Sequence, residues 1–234
     1  MFTVSAGWYD DFYSYKDYEG EAETVRGIVA RLRPGAESLL DVACGTARHL
    51  EHFHEHFRCE GVDANPDMVE IARARLPDVA ISVGDMAKLD LGRSFDVVTC
   101  LFGSIGYMAT TDRLVRAVAA MRRHLSPGGV LVVEPWVLPE DWYDPGSNIV
   151  NHHDDGERAF VRVISSRRKG SLSHLQIHYA IAERGAIDTG DEHHVLGLFS
   201  KDDYLDATRA AGLTPEWIDG GLIGRGLVAA GAPR

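Results

Sequence analysis

Three aspartates in the first half of the chain each follow a short apolar run. Asp41 lies in Leu39-Leu40-Asp41-Val42-Ala43-Cys44-Gly45-Thr46-Ala47, Asp63 closes Cys59-Glu60-Gly61-Val62, and Asp85 follows Val83-Gly84. A carboxylate at the end of a strand can accept hydrogen bonds from an ammonium group or from both hydroxyls of a ribose. Ala43, Gly45 and Ala47 are small and alternate along the first turn, so a ligand can approach the backbone closely there. The G-x-G-x-x-G spacing is absent, which excludes the pyrophosphate loop of a dinucleotide site. The pattern suits a ligand with an amino acid at one end and an adenosine at the other, which is S-adenosylmethionine. On that reading Asp41 accepts from the ligand ammonium, Ala43 and Gly45 lie beneath its methionine portion, and Asp63 takes the ribose. Asp85 and Met86 frame the adenine, and Leu101 at the end of a later strand completes the cofactor set.

The elements that must carry these residues are legible from periodicity. Leu39 to Leu50 reads as strand, turn and helix. Further strands are expected at Cys59–Asp63, Val79–Val83, Phe95–Phe102 and Gly128–Glu134, with a helix over Thr111–Leu125 before the last of these. Residues 17–32 place apolar side chains at helical spacing and stop at Pro34-Gly35. The predicted fold is α/β, a Rossmann-like seven-stranded sheet with helices on both faces. After Pro135-Trp136 the pattern changes to period two over Ala159–Ser165, Leu172–Ile181 and His193–Phe199, with a turn at Arg167–Ser171. This predicts an auxiliary antiparallel β insert after the fifth strand. Three segments follow: residues 1–136 as N-terminal segment and cofactor-binding core, 137–199 as the insert over the substrate site, and 200–234 completing the core. Ser200 and Asp203 predict a capped helix start. Trp217-Ile218 and Leu227–Ala230 predict a final hairpin. The aromatic run from Trp8 to Tyr18 reads either as a lid over a ligand or as packing across the sheet.

Composition sets limits. The chain has 234 residues, 45% hydrophobic, with a formal net charge of −11. No basic run is present, which argues against a nucleic-acid partner, since such binding rests on clustered Lys and Arg. No apolar run reaches the length of a membrane span, and the start of the chain lacks a basic-then-apolar signal pattern. Cys44, Cys59 and Cys100 form no C-x-x-C pair and predict reduced thiols in a cytoplasmic protein. A homodimer is left open.

The strand-end motifs resemble those of class I S-adenosylmethionine-dependent methyltransferases, four of them in register. The resemblance narrows with Leu39–Thr46, His49–Phe53, Ser104-Ile105-Gly106-Tyr107, Val132-Val133-Glu134-Pro135-Trp136 and Gly220–Leu227. Together these are similar to the N,N-dimethyltransferases of dTDP-linked amino sugars, of the desosamine and mycaminose type, over most of the chain. That resemblance implies a dTDP-linked deoxyamino sugar as acceptor, in natural-product biosynthesis, and double methylation of its amine. It also matches Arg225 to an arginine that resembles a pyrophosphate clamp. The chain departs from the pattern at Ala47, where glycine is usual, and at Phe2, which stands about where the family has a tyrosine near the substrate amine. The sugar and the position of its amine, 3 or 4, are not fixed by these residues.

The candidate acceptor-binding residues are Tyr9, Tyr13, Tyr107, Trp136, His178 and Arg225. Tyr107 is the catalytic candidate, placed past the fourth strand to orient the amine or relay a proton; a wall residue is its plainer reading. Arg225 could equally form a salt bridge on the last hairpin. His174 and His178 lie on a strand face that either meets the acceptor or faces solvent. His52 and His56 have the spacing of a metal pair, but no carboxylate or cysteine completes a site, so no metal is expected and an exposed helix face explains them. Glu134 reads as an acid that orients a loop, and His152–Asp155 as a solvated turn. A methyltransferase for another small acceptor, a nucleic-acid methyltransferase and a non-catalytic cofactor-binding protein are the alternatives. The second expects an N-P-P-Y-like tetrad where this chain has Leu101-Phe102-Gly103-Ser104.

Overall fold

The computed structural model describes residues 4–143 and 146–233; Phe2 lies outside them. Its larger sheet has seven strands in the order β10-β11-β5-β4-β1-β2-β3. These are β1 (Ser38–Val42), β2 (Arg58–Asp63), β3 (Ala80–Val83), β4 (Phe95–Cys100), β5 (Leu125–Val133), β10 (Thr214–Ile218) and β11 (Leu227–Gly231). Strands β1 to β5 pair in parallel, whereas β11 runs antiparallel to β5 and β10.

Buried runs without a polar face mark a sheet covered on both sides. Leu40, Val42, Val98, Cys100, Leu131 and Val133 belong to one core. It includes Leu114, Ala117, Val118 and Met121 of α5 (Thr111–Arg123) and Tyr204 and Ala207 of α6 (Lys201–Ala210). Leu39, Val97, Val130 and Val132 belong to the other, with side chains from α2 (Tyr18–Leu32), α3 (Arg48–Phe53) and α4 (Pro66–Arg75). The helix starts are written in the sequence: Asp17 caps α2, Asn65 caps α4 before Pro66, and Ser200 with Asp203 forms a reciprocal capping box on α6. Strand order reverses where β1 lies between β2 and β4, and ligands of open α/β sheets bind at the carboxyl ends of strands at such a point.

The insert is a four-stranded antiparallel meander of β6 (Asn148–Asp154), β7 (Arg158–Lys169), β8 (Leu172–Glu183) and β9 (Ala186–Gly197). Its strands are longer than periodicity alone indicated, and β6 was not expected. His152 and His153 lie in β6 rather than in a turn, and the β7–β8 turn is Gly170-Ser171 alone, with Arg167–Lys169 still paired in the ladder. Regular pairing to β7 holds β6 extended despite its polar sequence.

One face of this small sheet carries Phe160, Ile177, Tyr179 and Ile181, which cluster with Phe12. Phe12 belongs to α1 (Tyr9–Phe12), and its ring meets Phe160 edge-on at 4.7 Å. Asp10, beside it, accepts from Thr46 Oγ1 at 2.6 Å and pairs with Arg75. The N-terminal segment thus ties the insert to the first turn of the core. Its rings pack on the small sheet, and Tyr9 and Tyr13 also line cavities. Among the described residues no helix is long and apolar enough to cross a membrane.

Candidate active site

The first turn needs left-handed backbone at alternate residues. φ is +62° at Ala43, +56° at Gly45 and +66° at Ala47. The methyl group of an L-residue costs roughly 1–2 kcal/mol in that region, which explains why glycine is usual at position 47. Ala47 is fully buried against the core under α2 and α3, so its methyl recovers part of that cost by packing. The turn is held from the neighbouring strand. Asp63 accepts from Gly45 N–H and from Asn65 N–H, both at 2.8 Å. Burial raises the Asp63 pKa, opposed by hydrogen bonds from Asn65, Gly45 and Ala64.

A cavity of about 650 Å³ opens over this turn. Ala43, Gly45, Asp63, Asp85, Met86 and Tyr107 line it, with Met68 and Val83 among its apolar walls. Asp85 accepts from Ala87 N–H at 2.9 Å, which fixes its carboxylate. A strand-end carboxylate for a diol and methionine walls for a flat ring fit S-adenosylmethionine.

Two expected cofactor residues are placed otherwise. Asp41 is 2% exposed and does not line the cavity. Its Oδ1 accepts from the Thr99 hydroxyl at 2.7 Å. Burial pushes its carboxyl up to about 7, with the Thr99 bond opposing and the Asp63 charge adding. Leu101 is buried in the core and lines neither cavity. Asp41 in β1 and Leu101 just past β4 both turn their side chains into the packing of the core.

A second cavity of about 750 Å³ adjoins the first under the insert. Tyr9, Tyr13, Tyr107, Trp136 and Arg225 line it. Tyr9, Ser104, Tyr107 and His194 line both cavities. Tyr107 follows β4 in the short helical turn Ser104–Met108 and keeps 37% of its surface exposed. Its hydroxyl meets His194 Nδ1 at 2.7 Å, and His194 Nε2 lies 3.2 Å from Glu192 Oε2. Burial drives the Tyr107 pKa well up, helped by Tyr13, Glu192 and Asp63. Trp136 packs on the same turn: a Cβ at Gly106 would stand 2.8 Å from Trp136 Cβ, so glycine is required there.

Glu134 is fully buried and accepts from Phe102 N–H at 2.6 Å. Burial raises it to about 7, opposed by Lys16, the Phe102 bond and Arg225. It orients the loop after β4, as the sequence indicated. The Arg225 guanidinium lies 4.7 Å from the Trp136 ring, and its Nη1 is buried without a partner. Desolvation lowers its pKa, with Glu134 the main opposing influence.

The insert supplies residues that sequence reasoning missed. Arg162 is 2% exposed, lines the second cavity and donates to Asn151 Oδ1 at 3.1 Å, while its Nε and Nη1 have no partner. It stacks 4.5 Å from Phe12 and 4.9 Å from Tyr13. A signal was present: Arg162 shares the parity of Phe160 and Ile164, and a charge on an inward-facing parity needs a reason. Glu192 and His194 share an inward parity with Leu196.

His178 is on the opposite face. Its side chain is 57% exposed, pairs with the exposed Asp191 at 2.9 Å and lines neither cavity. His174 stands on the same outer face beside His193. The expectation that His178 meets the acceptor is therefore corrected, because its neighbours Ile177 and Tyr179 take the inner face. His49 is buried against Glu21 at 2.8 Å, and α3 ends at Phe53, before His56. Among the described residues no group of three or more His, Cys, Asp or Glu side chains is placed to hold a metal.

Comparisons with known proteins agree with this geometry. Residues 39–129 match a family described as a methyltransferase domain. The chain is 43% identical to the dTDP-3-amino-3,4,6-trideoxy-alpha-D-glucopyranose N,N-dimethyltransferase of Streptomyces venezuelae, covering 97% of this chain and 98% of that one. It is 42% identical to the dTDP-4-amino-2,3,4,6-tetradeoxy-D-glucose N,N-dimethyltransferase of Saccharopolyspora spinosa, covering 94% and 89%. The solved structure of CalS10 with bound S-adenosylmethionine, an amino pentose methyltransferase from Micromonospora echinaspora, superposes with a TM-score of 0.86 at 37% identity over 99% and 97% of the two chains. The likeness runs along nearly the whole length of each of these chains, and this protein belongs to the S-adenosylmethionine-dependent N,N-dimethyltransferases of dTDP-amino sugars.

Proposed function

We propose that the protein methylates, twice, the amino group of a dTDP-linked deoxyamino sugar. The observation that carries this reading is the pair of half-satisfied arginines in the second cavity. Arg162 Nε and Nη1 and Arg225 Nη1 are buried without partners. Leaving buried charged donors unmet is costly, and a diphosphate would meet them with charge-assisted, bidentate bonds. The Tyr9, Tyr13 and Trp136 rings offer flat apolar walls to a sugar and a base. A formal net charge of −11 argues against a nucleic-acid acceptor.

When bound, S-adenosylmethionine supplies a methyl group on a cationic sulfur, a carbon already electrophilic. The chain's own residues therefore have to align an amine lone pair and exclude water. Asp63, Asp85 and Met86 hold the cofactor. Arg162 and Arg225 anchor the acceptor at its diphosphate, and Tyr107, lining both cavities, sets the direction of its amine. The test is incubation with S-adenosylmethionine and a panel of dTDP-3-amino and dTDP-4-amino sugars, read by mass spectrometry. One or two added methyl groups on an amino sugar are expected. Turnover of acceptors that lack the nucleotide, with no turnover of the panel, would overturn the reading.

A further inference from the structure

The insert brings two buried polar side chains, Glu192 and His194, toward the point where the cavities meet. Glu192 and His194 alternate on the inner face of β9, opposite Ile177 and Leu175 of β8. Both are buried, whereas Asp191 and His193 are exposed, His193 also lining the cofactor cavity. Tyr107 reaches His194 Nδ1 at 2.7 Å, and His194 Nε2 faces Glu192 Oε2 at 3.2 Å. His194 itself lines both cavities.

With Glu192 ionised and His194 neutral, donor and acceptor arithmetic gives this chain a direction. An ionised carboxylate only accepts, so the Nε2 facing Glu192 carries the hydrogen. A neutral imidazole then has a bare Nδ1, and the Tyr107 hydroxyl must donate to it. Having given its hydrogen to His194, the Tyr107 oxygen presents only lone pairs to the cavities. A lone pair is what an N–H of an incoming ammonium requires.

We propose that Tyr107, His194 and Glu192 form a proton relay that receives the proton each amine must lose before it is methylated. The proposal rests on the reading of the acceptor as an amine. An ammonium N–H bond breaks and its proton goes to the Tyr107 oxygen, while the Tyr107 hydroxyl proton passes to His194 Nδ1. The amine and the tyrosine end neutral, and the charge resides on an imidazolium beside the Glu192 carboxylate. The first methylation yields a secondary ammonium, which must shed a proton by the same route before a second methyl group can be added. Exchange of spent for fresh cofactor between the two additions admits water to a cavity that His194 lines, and the relay empties there. Tyr107 is the residue that touches the acceptor; His194 and Glu192 act through it and are positioning residues.

Other titratable groups surround the relay, and His193, exposed on β9, lines the cofactor cavity beside His194. Tyr9 and Tyr13 face Tyr107 from the N-terminal segment, and Asp63 faces it from β2. Tyr179 of β8 lies near Glu192. Asp85 and Arg113 line the cofactor cavity, and Lys16, Glu21, Arg162 and Arg225 the acceptor cavity. Asp63 is engaged by two backbone amides, and Glu21 by Lys16 and His49.

The test is a pH profile of His194→Gln and Glu192→Gln against the wild-type protein, using an amino sugar that the wild type methylates. General acid–base help is worth on the order of 100-fold or more. The relay therefore predicts kcat lower by roughly 10- to 100-fold near neutral pH, recovering toward wild type above the pKa of the free amine. Acceptor KM and cofactor affinity should change little. Tyr107→Phe loses orientation as well as the path, so part of its deficit should persist at high pH. A deficit in His194→Gln and Glu192→Gln that is the same at every pH, or no deficit, overturns the relay. A second measurement does not depend on the substrate: 15N NMR of histidine-labelled protein with S-adenosylmethionine should show His194 as the Nε2–H tautomer. An Nδ1–H tautomer overturns the relay even if no amino sugar is turned over, an outcome that by itself counts against the proposed substrate and not against the relay.

Discussion

The carboxylate of Asp63 accepts the Gly45 amide hydrogen at 2.8 Å, so the end of the second strand holds the shape of the turn after the first. One residue therefore both builds the cofactor cavity and lines it. Asp63→Ala should lose at least two hydrogen bonds to a charged group, about 2–4 kcal/mol in S-adenosylmethionine affinity. It should also lower the melting temperature, because Gly45 and Asn65 lose their acceptor. Calorimetric titration and thermal unfolding check the two effects separately, and unchanged affinity would remove Asp63 from the site.

Arg162→Ala and Arg225→Ala should each raise acceptor KM by roughly 10- to 150-fold, the worth of about 1.5–3 kcal/mol for a charge-assisted contact. S-adenosylmethionine affinity should hold in both. The two are expected to behave alike even though Arg162 is on the insert and Arg225 beyond β10. Steady-state kinetics with a dTDP-amino sugar reads this directly, and an unaltered KM in both variants would remove the diphosphate clamp.

Gly106→Ala tests the packing of Trp136. The new methyl would stand 2.8 Å from Trp136 Cβ and 3.1 Å from Leu196 Cδ2. Overpacking of this kind costs about 1–3 kcal/mol. Trp136 should be pushed into the acceptor cavity, so acceptor KM rises with cofactor affinity retained. A shifted tryptophan fluorescence spectrum would report the displacement.

His178→Ala should leave kcat and acceptor KM within about twofold of wild type, since substitutions on an exposed face change little. Its partner Asp191 is exposed too, and the pair contributes little to stability. A strong kinetic effect would mean that the outer face of the insert, not the inner, meets the acceptor.

Asp41 makes stability depend on pH. Its carboxyl is raised to about 7 in the folded chain by burial, against about 3.9 for an unperturbed aspartate. Between those values the folded state keeps a proton that the unfolded chain releases. Its contribution is therefore fully present below about pH 4, and is lost as pH rises to about 7. The total is on the order of a few kcal/mol. Asp41→Asn carries no such ionisation, so its stability relative to wild type should improve from pH 5 to pH 8 in urea unfolding. An equal difference at both pH values would mean that Asp41 is ionised without penalty.

The sequence by itself determined the seven-stranded core, the capped start of α6 and the strand-end acids Asp63 and Asp85. Strands buried on both faces must be apolar runs, and a ligand at their carboxyl ends must meet whatever residue ends the run. It also determined that an antiparallel insert follows Trp136, because period two is visible over β7 and β8. Only the tertiary structure decided which face of that insert turns toward the ligand. Alternation divides a strand into two sets and does not say which set is docked, so His178 and Glu192 look equally available until β8 and β9 are registered against each other. The packing of Phe12 on Phe160 and Tyr179 settles it: that face turns inward and carries Arg162, Glu192 and His194 with it. Asp41 shows the same limit within the core. Its place at a strand end was plain, but whether its carboxylate met a ligand or the Thr99 hydroxyl depended on β4 lying beside β1.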